Sequence, residues 1–259
     1  MANLQMPVAE LSEAISNDSF DGIELDSDVL ESLGIFIVRD LIDTEICAEL
    51  LSLFHNATNM KVVEGHPTKV LAGTEGLDLV MSSSTVSECF AHFFDGNYRC
   101  AAPQIFRKNR DWPDKVKLHN DLMYMSGWQK KYSVFVALTD CSGDNGGLIM
   151  YPGTHHFGLL GDAGELDRNA LPDGLPAVCP TLRPGDCLFM HSAIWHESNQ
   201  FRSGGERVYY EFKLVHADDP AYGSDDDTDP VHSYRLPESV EGLFVDSRVQ
   251  RLQKFYKSQ

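Results

Sequence analysis

From residue 100 onward the chain is a succession of short β-prone runs, each closed by Gly, Pro or Asp. The runs are Pro103–Lys108, Val116–Met125, Tyr132–Thr139, Gly147–Tyr151, Ala177–Leu182, Cys187–His191 and Arg207–Val215. Turn signals separate them, among them Asp144-Asn145-Gly146-Gly147 and Arg183-Pro184-Gly185-Asp186. Strand spacing this regular predicts a mainly β chain folded as a sandwich or barrel. In the third run Val134, Val136 and Leu138 alternate with Phe135, Ala137 and Thr139. Side chains alternate across a strand, so two apolar faces predict a central strand.

The first hundred residues supply flanking helices. Ile35-Phe36-Ile37-Val38 reads as a short strand. Asp43 or Thr44 can cap a helix over residues 44–55, with Ile46, Leu50, Leu51, Leu53 and Phe54 as its apolar stripe. A second helix is expected near 85–94. Residues 1–30 read as a polar N-terminal segment, and 217–259 as an acidic, turn-rich loop followed by an amphipathic C-terminal helix. At 259 residues and 42% hydrophobic content the expectation is one domain, 1–259, with a full core.

The formal charge of −18 argues against nucleic acid and against an anionic membrane surface as partners. No run approaches the ~20 apolar residues of a membrane span. The N-terminus lacks the basic and apolar regions of a secretory signal. Six cysteines without CxxC spacing fit a reducing compartment. A cytoplasmic protein is expected, with its oligomeric state left open.

Against this background four polar residues stand out. His119 and Asp121 lie in VKLHNDLMYM, His196 in PGDCLFMHSAIWHESN, and Arg207 in GERVYYEF. Two imidazoles and one carboxylate are the ligand set of non-haem ferrous oxygenases, which leave one coordination face open. Residues two apart on a strand share a face, so His119 and Asp121 could reach one ion. An arginine after the second histidine suits the far carboxylate of a dicarboxylic co-substrate. His191, five residues before His196, competes for the second imidazole position. The Ser198-Asn199 context puts His196 ahead.

The order of motifs resembles the phytanoyl-CoA dioxygenase family of 2-oxoglutarate oxygenases. It is carried by Gln104 with Lys108, His119-Asn120-Asp121, Ala137–Asp140 with Asn145-Gly146, Pro152–His155, Pro184-Gly185-Asp186 with Phe189, His196–Asn199 and Arg207, over roughly residues 30–216. The resemblance implies a double-stranded β-helix, the jelly-roll or cupin-like core. It implies Fe(2+) held by His119, Asp121 and His196 as the catalytic centre, with 2-oxoglutarate and O2 as co-substrates. It places Arg207, with Ser198, on the distal carboxylate of 2-oxoglutarate, and Gln104 and Lys108 near the same molecule. It implies oxidation of a small-molecule C–H bond with release of succinate and CO2. Related halogenases have a small residue where this chain has Asp121, so hydroxylation, or a further oxidation such as desaturation or ring closure, is favoured. The alternative is a cupin-type metal-binding domain without redox chemistry, which has no need of Arg207.

Substrate clues are thinner. Arg107, Lys108, Arg110, Lys115 and Lys117, followed by Lys130 and Lys131, concentrate positive charge beside the motif in an acidic chain. They are either a solvated face or a rim attracting an anionic substrate. Tyr124 and Trp128, with Arg110 and Lys130, are the candidate substrate contacts. His155 and His156 read as turn residues ahead of a polar lining.

Overall fold

The computed structural model describes residues 16–17, 27–56, 61–63, 66–70, 75–124, 128, 130–157 and 166–219. Most of the polar N-terminal segment, most of the acidic loop and the C-terminal helix lie outside them.

Ten strands are described: β1 (Ser16–Asn17), β2 (Ile35–Val38), β3 (Lys61–Val63), β4 (His66–Val70), β5 (Tyr98–Lys108), β6 (Lys131–Ala137), β7 (Leu148–Met150), β8 (Cys187–His191), β9 (His196–Ser198) and β10 (Arg207–His216). Four helices accompany them: α1 (Ser27–Leu33), α2 (Thr44–Asn56), α3 (Glu75–Val80) and α4 (Ser84–Ala91). The large sheet has eight strands in the order β1-β2-β8-β6-β10-β5-β4-β3, and β7 pairs with β9 in a small one. All pairings are antiparallel except β1 with β2.

Within the large sheet, β6 is buried on both faces along its whole length. Val134 and Val136 face outward onto α2 and α4, meeting Leu50, Phe54, Val86 and Phe90 in one cluster. Phe135 and Ala137 face the small sheet and pack with Leu148, Met150, Val178 and Leu182. The expectation of a central strand is met. The same alternation runs along β10, where Val208, Tyr210, Phe212 and Leu214 join the helix-facing cluster. Arg207, Tyr209, Glu211 and Lys213 therefore share the inner face.

The turn motifs have structural reasons. Gly185 has φ +96°, and a Cβ there would lie 2.4 Å from the Ile42 carbonyl oxygen. The buried Asp186 carboxylate accepts from Arg39 (2.7 Å), the Asp40 amide (3.0 Å) and the Arg183 amide (2.9 Å), tying this turn to the end of β2.

Two expected strands are corrected. Ala177–Leu182 makes only isolated bridges, Met150 to Val178 and Cys141 to Leu182. Val116–Met125 is no continuous strand either. The Ser198 amide bonds to Val116 O while His119 pairs with His196, so the two contacts are out of step by one residue. A single-residue offset of this kind breaks a ladder. A 3-10 turn over Asp121–Tyr124 follows. Among the described residues, no helix is long and apolar enough to cross a membrane.

Candidate metal centre and its cavity

The isolated bridge between His119 and His196 is the foundation of the site. Each residue donates its amide to the other's carbonyl, at 2.9 and 2.8 Å, so the rings project from facing positions with centroids 4.3 Å apart. Directly afterwards the 3-10 turn swings Asp121 beneath both rings. Asp121 Oδ1 lies 3.6 Å from Nε2 of His119 and 3.6 Å from Nε2 of His196. The ligand atoms of all three residues fall within 4.8 Å of one another.

The back of each ring is fixed. His119 Nδ1–H donates to the Lys117 carbonyl (2.7 Å) and His196 Nδ1–H to the Ile194 carbonyl (3.0 Å). With hydrogen on Nδ1, each ring turns Nε2 toward Asp121. Burial, with His119 beside it, lowers the His196 imidazole to about 4, so it is neutral at pH 7. Burial alone would raise Asp121, but Lys213, His196 and His119 outweigh it and hold the carboxyl well below its usual range. The donor set suits a divalent ion. Two atoms each about 2.1 Å from one ion can be up to about 4.2 Å apart, and 3.6 Å falls inside that limit.

A cavity of about 110 Å3 opens from this cluster. Phe106, Val116, Phe135 and Leu148 form its apolar walls, and Arg207 lies at one end. Arg207 is 4% exposed, stacks on the Tyr209 ring at 4.6 Å, and has no partner for Nε among the described residues. The register places Lys108 opposite it. Lys108 donates to Ser198 Oγ (2.6 Å) and to the Asn199 carbonyl (2.7 Å). Ser198 Oγ also accepts from the Val116 amide at 2.9 Å, which leaves its own hydrogen for another acceptor. Burial, then Arg207, lowers Lys108 to about 7. Gly146 gives this side chain its room: its φ is +90°, and a Cβ there would collide with the lysine Cδ. Arg207 lies in the cavity wall with the buried Lys108 opposite it in register, and no described carboxylate lies within 4.0 Å of Arg207. That arrangement lacks an anion.

The structure thus gathers His119, Asp121, His196, Arg207, Ser198, Lys108 and Gln104. Gln104 lines the cavity and bonds to Glu211. His191 is not with them: it ends β8, takes the Ala193 amide on Nδ1 (3.1 Å), and lies beside Tyr132 and His155. His155 and His156 both meet the Glu31 carbonyl, as turn residues.

The expected substrate contacts are elsewhere. Asn109 Oδ1 accepts the Asp111 and Trp112 amides, and this turn carries Arg110 outward into solvent. Trp128 is 46% exposed, against His216. Lys130 lies over the Phe94 ring, while Lys131 is drawn inward to Asp219. None of these three is in the cavity wall. The Tyr124 side chain lies outside the described residues. Arg107 lines the cavity and pairs with Glu206 at 2.7 Å, Lys108 and Lys131 are buried, and Arg110, Lys115, Lys117 and Lys130 form an exposed face.

Three cavity-side residues went unread in the sequence: Ser133, Glu211 and Lys213. Ser133 and Lys213 both bond to Asp121 Oδ2. The signal was present, because Glu211 and Lys213 continue the period-two row begun by Arg207 in an otherwise apolar strand.

A sequence model of the family described as phytanoyl-CoA dioxygenase (PhyH) matches residues 30–209. The fold is similar to that of the epimerase SnoN in complex with Fe3+, alpha ketoglutarate and nogalamycin RO: TM-score 0.65, 16% identity, covering 90% of this chain and 91% of that one. It is similar to the carbocyclase SnoK from nogalamycin biosynthesis, with TM-score 0.63, 17% identity, and 88% and 93% covered. HygX from Streptomyces hygroscopicus with nickel, 2-oxoglutarate and hygromycin B bound gives TM-score 0.59 and 14% identity, covering 76% and 88%.

Proposed function

The chain belongs to the phytanoyl-CoA dioxygenase family, and from that premise we propose an iron(II)- and 2-oxoglutarate-dependent enzyme that oxidises a C–H bond of a small molecule. His119, Asp121 and His196 hold the iron. When bound there, iron with 2-oxoglutarate supplies dioxygen-dependent oxidation coupled to release of succinate and carbon dioxide.

The chain's own residues do the rest. The carbonyls of Lys117 and Ile194 keep both imidazoles in the ligand tautomer. Arg207, with Lys108 and the Ser198 hydroxyl, receives the distal carboxylate of 2-oxoglutarate through charge-assisted bonds. The apolar walls exclude water from the reacting carbon. Asp121 occupies the carboxylate position, which favours hydroxylation. Structural relatives include an epimerase and a carbocyclase, so the fate of the substrate after hydrogen removal is the finer part of the proposal. A small-molecule substrate accords with the nogalamycin RO and hygromycin B bound to two relatives.

The single observation that carries this reading is the triad sharing one cavity with a buried arginine whose Nε has no hydrogen-bond partner among the described residues. The apoprotein mixed with Fe(II) and 2-oxoglutarate under argon should develop a weak visible charge-transfer band, and candidate substrates should raise succinate production. A colourless sample without 2-oxoglutarate turnover would instead support the cupin-type metal-binding domain.

A further inference from the structure

Asp121 has two carboxylate oxygens, and only Oδ1 faces the histidines. Oδ2 is held by Lys213 Nζ at 2.8 Å and by the Ser133 hydroxyl, and Lys213 also bonds to Ser133 at 2.8 Å. Lys213 is 6% exposed and stands between two acids, since its ammonium also contacts Glu211. Glu211 is 1% exposed and lies in the cavity wall, with its other oxygen on Gln104.

A carboxylate can bind a metal through one oxygen or two. An ion at the triad therefore has a second carboxylate oxygen beside the first, Asp121 Oδ2. Binding through it would fill a coordination position that a co-substrate requires. We infer that Lys213 is a positioning residue that withholds Asp121 Oδ2 from the metal and so keeps a coordination position open for 2-oxoglutarate. This rests on the triad reading above. The charges are consistent with it, because Glu211 offsets Lys213, and the ammonium adds no uncompensated repulsion against a cation. The role concerns how many protein oxygens bind, more than whether the metal binds.

The test separates metal binding from co-substrate binding. Mn(II) is titrated into apoprotein by electron paramagnetic resonance, and 2-oxoglutarate into Mn(II)-loaded protein by calorimetry. Lys213→Met should bind Mn(II) at least as tightly as the parent and 2-oxoglutarate roughly tenfold more weakly, the lower end for loss of an outer hydrogen-bond partner. Lys213→Arg, which keeps a cation between the acids, should restore most of the affinity. Should Lys213→Met fail to fold, Lys213→Leu/Glu211→Leu removes the buried pair as a unit. It still removes the lysine's bond to Asp121 Oδ2 and leaves only the Ser133 hydroxyl there, so a weakening in the same direction is expected. Parental 2-oxoglutarate affinity in the folded variant overturns the inference. Loss of Mn(II) and 2-oxoglutarate together also overturns it, since Lys213 would then act on metal affinity. The triad reading fails separately, if His196→Ala retains Mn(II).

Discussion

Arg207→Met should weaken 2-oxoglutarate strongly while leaving the empty protein no less stable. Methionine has a similar stem length and fills the space beside Tyr209, so no large cavity is created. Arg207 is buried, its Nε has no hydrogen-bond partner among the described residues, and Lys108 faces it in register. Its charge is therefore a cost in the apoprotein and a gain only when an anion arrives. A hydrogen bond to a charged group contributes ~1.5–3 kcal/mol. Two parallel bonds, less the part Lys108 and Ser198 retain, give a net loss of about 3 kcal/mol, or on the order of 100-fold in Kd. Calorimetry of 2-oxoglutarate binding to Mn(II)-loaded parent and variant measures this, and thermal unfolding of both apoproteins measures the other half. A Kd within twofold of the parent refutes the carboxylate assignment. A large fall in Tm refutes the claim that the arginine is uncompensated when the cavity is empty.

Three further outcomes follow from the same geometry. His196→Ala should abolish stoichiometric Mn(II) binding and His191→Ala should keep it, as measured by the same resonance titration; the reverse would show that His191 supplies the second imidazole. Lys108 is lowered to about 7 by burial and Arg207, so it loses its proton above that pH in the empty site, while a bound carboxylate favours the charged form. Binding of 2-oxoglutarate should take up a proton and weaken as pH rises above about 7, by at most about tenfold per unit, and Lys108→Met should flatten the profile; calorimetry in buffers of different ionisation enthalpy decides it. With any substrate found, Arg110→Glu and Lys130→Glu should leave kcat/KM nearly unchanged, because neither residue lines the cavity, whereas a salt-sensitive loss would reinstate an anion-attracting rim.

The chemistry was more legible in the sequence than its scaffolding. The central strand could be read from Val134, Val136, Phe135 and Ala137, because period-two burial on both faces is local information. The turn residues Gly146, Gly185 and Asp186 were visible for similar reasons, although their partners, Lys108 and Ile42, are distant in sequence. His119 and Asp121 were paired on the argument that both project from one strand face. They do converge, but through a β-bridge to His196 and a following 3-10 turn. A one-residue register offset against Ser198 cannot be read from one segment, since it belongs to the pairing. The expected substrate contacts failed for a comparable reason. Arg110 and Lys130 are near the motif in sequence, and a single Asn109 turn and the Lys131–Asp219 pair send both outward.

The inner row of β10 joins these observations into one argument. Arg207, Glu211 and Lys213 are buried charges on one strand, and burying a charge without a partner is costly. At the Lys213 end the charges are matched within the protein, by Asp121 and Glu211, so nothing is gained there from an external anion. At the Arg207 end the nearest charged neighbour is another cation, and the deficit is open. The same strand thus carries a closed network beside the metal triad and an open one at the far end of the cavity. Closed networks hold geometry, and open ones wait for ligand. Since β10 lies between β5 and β6 in the sheet, both ends are held by paired backbone, and the span between them is set by the strand itself. A dicarboxylate of the right length can reach both ends at once. Oxalate, whose two carboxylates both chelate at the metal and leave none to extend to Arg207, should bind the metal-loaded protein with an affinity that Arg207→Met leaves unchanged.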